Sequence, residues 1–282
     1  IVALSVLYGA GFAAMGAWLI GKPGQRVPGG LLITLAVGMV PLAVFGIEHM
    51  AGMWTNVANG QRDMAAIRQL LMEGSLIAAA LTAIRFVRFP FLGLPLAAGV
   101  WLASMDLLNL AAGVNGLSFE AQQQFTLGFG ALMVAISTIV DRRSKEDFAL
   151  WGYVFGVSAA WFSLAGLLLV TVNGKPGMPF LGWEAAAWLV WCVANLGLLL
   201  VSVLLRRRIF QVYGSLGVIG YLAYLTFSVF ANSPFFPLYL IGLGVGVILL
   251  GVVYQSYQKK IEEAILAALP QGLRNLLPPA RD

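Results

Sequence analysis

Nine stretches of about 20 residues in this chain are almost free of formal charge, and nearly every charged residue lies in the short connections between them. The stretches run roughly 1–21, 29–50, 68–87, 90–112, 121–141, 148–172, 182–205, 209–232 and 235–257. A helix needs about 20 apolar residues to cross the hydrocarbon of a bilayer. The pattern predicts an all-α, polytopic integral membrane bundle of about nine transmembrane helices. Composition agrees: 10% of residues are charged and 60% hydrophobic, whereas soluble domains carry about 25% charged residues. The 33 glycines fit as well, because small residues let helices pack closely in lipid. The single Cys192 excludes an intramolecular disulfide. The chain opens on "IVALSVLYGAGF" without a basic leader. It thus lacks the n-region of a signal peptide and is expected to continue upstream of residue 1.

A net charge of +5 raises nucleic acid or anionic lipid as partners, but the distribution of the 17 cations points to topology. Lys22, Arg26, Arg85, Arg88, Arg142, Arg143, Lys145, Arg206, Arg207 and Arg208 fill alternate connections, and Lys259, Lys260, Arg274 and Arg281 follow the last stretch. The other connections hold only Arg62, Arg68 and Lys175. Positive charge is retained in the cytoplasm. The expectation is an amino end outside and a carboxyl end inside a bacterial plasma (inner) membrane, with lipid and no nucleic acid as partner.

The basic turns "RFPFLG", "KEDFALWG" and "RRIFQVYG" each place a Phe-x-x-x-Gly after a cation, with Phe89, Phe148 and Phe210 as the aromatic members. This spacing predicts four helical hairpins of one orientation plus a ninth helix, each turn anchored by Phe at the interface. Residues 1–258 then form the bundle, and 259–282 a cytoplasmic tail. In the tail Ile261, Ile265, Leu269 and Leu273 share a face opposite Lys259, Glu262 and Glu263. An interfacial amphipathic helix bent at Pro270 is expected, and docking onto a partner protein fits the same pattern.

Three acids resist a bland explanation. Glu48, Glu73 and Asp106 lie in three successive stretches, each expected in the outer half of the bilayer. A charge at mid-membrane costs about 2.5–3.5 kcal/mol on the insertion scale, and such residues usually face a bundle interior or a wet cavity. The expectation is that the three converge at a common level. Asn109, one turn from Asp106, is placed to donate to it. His49, the only histidine, is placed at the rim. Arg62, Asp63 and Arg68 lie just above as counter-charges. Two outcomes compete: a pocket that loads protons, or a structural clasp closed by Arg68 or Arg62.

No His-x-x-His, paired Cys, Walker-type loop, dinucleotide fingerprint or haem-like histidine pair is present. No metal or cofactor is therefore expected, and no nucleophilic triad has a supporting spacing. Trp183, Trp188, Trp191, Tyr221, Tyr224 and Phe227 read as an interfacial belt with core packing, or as the wall of a cavity for a lipid-like ligand. Asn195 and Ser202 read as interhelical hydrogen-bond partners. The leading functional reading is a transporter or channel-like protein with an outward acidic pocket. A sensor, scaffold or subunit of a larger membrane complex is the alternative, and a lipid-acting enzyme is the least favoured.

Overall fold

The computed structural model describes the backbone of residues 1–54, 62–113, 116–144, 146–169, 171–172, 175–176, 184–229 and 234–268, and most of their side chains. Among these residues the helices are α1 (Val2–Ile20), α2 (Arg26–Met50), α3 (Arg62–Phe86), α4 (Gly93–Ala112), α5 (Phe119–Arg143), α6 (Ala149–Leu169), α7 (Glu184–Leu205), α8 (Arg208–Tyr224) and α9 (Phe236–Ala268). A 3-10 turn, Pro90–Leu92, leads into α4, and a π-helical turn, Leu225–Val229, ends α8. Eight helices, α1 to α8, are long and apolar enough to cross a membrane. Their large side chains, among them Leu7, Trp18, Leu102, Ile139 and Leu200, stand exposed. That much apolar surface is tolerable when its solvent is acyl chains rather than water. The protein is an all-α, multi-pass integral membrane protein.

Helix ends depart from the apolar count where polar residues are good helix formers, or apolar ones are not. α3 begins at Arg62 rather than near 68, because Arg, Met and Ala extend a helix readily although they do not lengthen an apolar run. α6 stops at Leu169. Beyond it the β-branched pair Thr171–Val172 forms a short antiparallel ribbon with Lys175–Pro176. α9 has 33 residues and runs without a break through 259–268, the segment expected to begin a separate interfacial helix. Pro270 and the rest of the tail lie outside the described residues.

The chain divides inside α6 into two compact units, residues 1–156 and 157–282. In the first, α1 packs along α2, α3 along α4, and α2 against α3. Ile33 and Val37 of α2, Ala80 of α3 and Leu92 form a buried cluster there. α5 and α6 meet where the Tyr153 hydroxyl lies 3.2 Å from Thr138 Oγ1 and 3.4 Å from Asp141 Oδ2. In the second unit, α7 packs along α8. The Phe and Gly of the basic turns serve packing in both units. Phe89 seats its ring on Gly30, and Phe210 is buried. A side chain on Gly214 would meet the Asn195 carbonyl at 2.9 Å. These Phe residues therefore anchor the turns from inside the bundle.

Candidate functional site

The juxtaposition of Glu48 and His49 is resolved by how α2 ends. Gly52 adopts φ +73°, a conformation that costs an L-residue with a side chain about 1–2 kcal/mol. The Gly52 N–H donates to the His49 carbonyl at 3.1 Å, and the Met53 N–H to the Glu48 carbonyl at 3.0 Å. This pair of bonds is a Schellman closure. It reverses the chain so that Trp54 returns over the last turn of α2. The Trp54 indole N–H donates to Glu48 Oε2 at a long 3.4 Å. Its ring meets Phe45 edge-on at 4.9 Å. Glu48 is 3% exposed, and its Oε1 has no hydrogen-bond partner among the described residues. His49, about 100° further round the helix, is exposed and stacks on Phe45 at 6.2 Å.

Arg68 enters from α3. It is 5% exposed, donates from Nη1 to the Met53 carbonyl, and lies over the Trp54 ring at 4.5 Å. A cation at the carboxyl end of a helix meets the partial negative charge of its last carbonyls. Among the described residues no ion pair joins Arg68 to Glu48, Glu73 or Asp106. The clasp is thus an arginine on a backbone carbonyl and an aromatic face. The side chains of Arg62 and Asp63 lie outside the described residues.

Below it, α3 and α4 hold the remaining acids. A side chain on Gly99 would meet Ile77 at 2.9 Å, so its absence lets the two helices close. Glu73 lies four residues from Ile77, and Asp106 seven from Gly99, which puts both on the facing stripes. The Glu73 carboxyl is within hydrogen-bonding reach of the Asp106 carboxyl. Glu73 Oε2 is buried and meets no N–H or hydroxyl donor among the described residues. Beside the pair lies a cavity of ≈ 270 Å³ with Gln69, Asp106 and Asn109 as its polar lining and Ala65, Ala66 and Leu110 as apolar walls. Asn109 is exposed, and no hydrogen bond joins it to Asp106 among the described residues.

Glu73 and Asp106 lie within hydrogen-bonding reach of one another, whereas Glu48 belongs to the Trp54–Arg68 assembly at the end of α2. Trp54, the Met53 carbonyl and Gln69 are members that sequence reading did not single out. The one available signal was Gly52 directly after a helix end, which marks a C-terminal closure. In the second unit the aromatics pack on one another. Trp191 is buried with Leu168 and Ala187, beside Trp161 and Tyr221, and Trp188 stacks on Tyr224 at 4.6 Å. The side chain of Trp183 lies outside the described residues.

No family model matches the chain, and comparison with curated proteins and with solved structures gives no match; any function must be argued from the residues themselves.

Proposed function

We propose that this is a transporter or channel-like protein whose α3–α4 carboxyl pair binds a proton or a small cation reached through the adjoining cavity. The observation that carries the reading is that Glu73 and Asp106, on two membrane-spanning helices, lie within hydrogen-bonding reach of one another. Two ionised carboxylates that close repel, whereas a protonated carboxyl donates an O–H to its neighbour, and a cation between them neutralises both. Ionisable groups at such depth mark ion pathways more often than scaffolding. Gln69 and Asn109 add amide oxygens and N–H groups along the approach. Glu48, Trp54 and Arg68 form the rim. The site faces away from the basic connections. With ten cations on those connections and four after the last stretch, this reading sets the amino end and the site outside and the carboxyl end in the cytoplasm of a plasma membrane.

Proteoliposomes carrying a pH-sensitive dye, driven by a potassium diffusion potential, test this directly. The wild-type chain should pass protons, and Glu73→Gln and Asp106→Asn should abolish the flux while remaining folded. Wild-type vesicles no leakier than empty ones, to protons and to sodium alike, would remove the reading.

A second reading draws on α9. At about 1.5 Å per residue its 33 residues span more than the ~30 Å hydrocarbon thickness, and the helix carries Lys259, Lys260, Glu262 and Glu263 beyond the apolar part. A helix continuous from membrane into solvent suits a sensor, scaffold or subunit that docks a protein partner. Retained proton flux after truncation at residue 258 would separate transport from such docking.

A further inference from the structure

We infer that the basic end of the first unit holds a binding site for an anionic phospholipid, with the headgroup phosphate among Arg85, Arg88 and Arg143 and an acyl chain between α3, α4 and α5. The inference is independent of the Glu73–Asp106 pair, since Glu73 lies at mid-helix in α3, about 18 Å along it from Arg85. Two cavities carry it. One, of ≈ 680 Å³, is lined by Arg85, Arg88, Arg143, Ser144 and Glu146. The other, of ≈ 330 Å³, is almost wholly apolar and includes Leu81, Ala97 and Met133. Ile84, Val140 and Phe148 wall both, so the charged chamber adjoins the greasy one.

Charge within the first cavity is unbalanced. Its one acidic side chain, Glu146, is held 3.1 Å from Arg26, whose guanidinium also donates to the Arg88 carbonyl at 2.7 Å. Among the described residues no carboxylate pairs with Arg85, Arg88 or Arg143. All three guanidinium groups are exposed. They sit at the ends of α3 and α5 and just before α4, where the apolar spans finish. That is the level of lipid headgroups. Arginine forks match phosphate oxygens bidentately, and basic pockets between membrane helices are established headgroup sites. A free phosphate would use only the charged chamber. The apolar cavity continuing beneath it is what selects a molecule with a tail.

The purified full chain in neutral detergent, titrated with dioleoylphosphatidylglycerol, dioleoylphosphatidylcholine or sodium phosphate and read by native mass spectrometry and thermal unfolding, tests the assignment. The anionic lipid should be retained and should raise the melting temperature more than the zwitterionic one, and phosphate alone should do neither. Removing the three charges together, R85Q/R88Q/R143Q, should erase the preference, with a loss of about fivefold for each guanidinium. R143Q alone, at an exposed helix end, gives the same direction should the triple variant not fold. L81W, which fills the apolar cavity from its lipid-facing edge, should weaken retention of both lipids. Equal retention of the two lipids, stabilisation by phosphate alone, an undiminished preference in R143Q, or unchanged retention in L81W would each overturn the proposal.

Discussion

The Trp161 indole N–H donates to Asn195 Oδ1 at 2.8 Å, fixing the carboxamide of α7 against α6. Asn195 returns its own N–H to the Trp191 carbonyl at 2.8 Å, and Trp191 donates to the Gly217 carbonyl of α8 at 3.0 Å. Three helices are joined by one buried polar chain, and Gly217 is what admits it, since any side chain there would collide with the Asn195 carboxamide.

Asn195→Ala should therefore lower unfolding stability by about 1–2 kcal/mol, given that interhelical bonds in membranes average about 0.6 and reach about 1.7 kcal/mol. Gly217→Ala should cost more, about 1–3 kcal/mol, through overpacking. The double variant should be more stable than the sum of the two losses implies, because the smaller residue makes room for the new methyl. A denaturant-titration cycle measures that coupling.

Gly52→Ala forces a side chain into the left-handed closure of α2. A loss of about 1 kcal/mol follows, together with a changed Trp54 environment, visible in near-ultraviolet circular dichroism. Gly52→Asn should lose less, because asparagine tolerates this conformation. Equal losses in the two variants would show that the turn is not held as described.

Arg68→Lys should recover only part of what Arg68→Ala loses. The ammonium keeps the charge near the Met53 carbonyl, but it lacks the planar face that lies over Trp54. A desolvated cation–π contact is worth about 2 kcal/mol, so the alanine variant should lose about that much. Trp54→Phe should lose less again, leaving Glu48 without its indole donor. Thermal unfolding in one detergent ranks the three.

Glu73→Gln should fold with a stability change below about 1 kcal/mol, because a glutamine N–H can donate to the Asp106 carboxylate in place of the acid. Asp106→Leu should be worse tolerated, leaving the buried Oε2 of Glu73 beside a chain that cannot accept or donate. A glutamine variant that fails to insert would mean the pair serves packing rather than ion binding.

Much of the architecture was legible because lipid leaves the chain little choice: apolar length marked nine stretches, and among the described residues eight of them are helices long and apolar enough to span. The limits lie where side-chain identity does not determine geometry. Arg62 to Gln69 looked like a connection because polarity marks where lipid ends, yet helix propensity carries α3 through it. Arg68 was expected to seek a carboxylate, and its partners are a backbone carbonyl, which every residue has, and an indole returned by a turn. Glu48 was expected beside the other two acids, yet the partner found for it is the Trp54 indole, brought back by the turn that closes α2. Asp106 meets Glu73 through facing stripes at Gly99 and Ile77, a relation that emerges only once the two helices are paired. The Asn195 reading succeeded because an amide amid leucines has few ways to be satisfied except across a helix interface. Ser202 instead donates to the Arg207 carbonyl at 3.3 Å within its own turn.

The Arg68 contact also bears on how the chain is assembled during synthesis. Among the spans α3 is one of the less apolar, with a mean hydropathy of 1.4 against 2.3 for α2, and an arginine leaving the translocon alone carries a penalty of about 2.5–3.5 kcal/mol at mid-span. The carbonyl and indole that receive this guanidinium belong to the segment synthesised just before it. The guanidinium of α3 thus finds acceptors that the chain has already made by the time Arg68 is added, so the order of synthesis supplies the receiving turn before the cation that needs it.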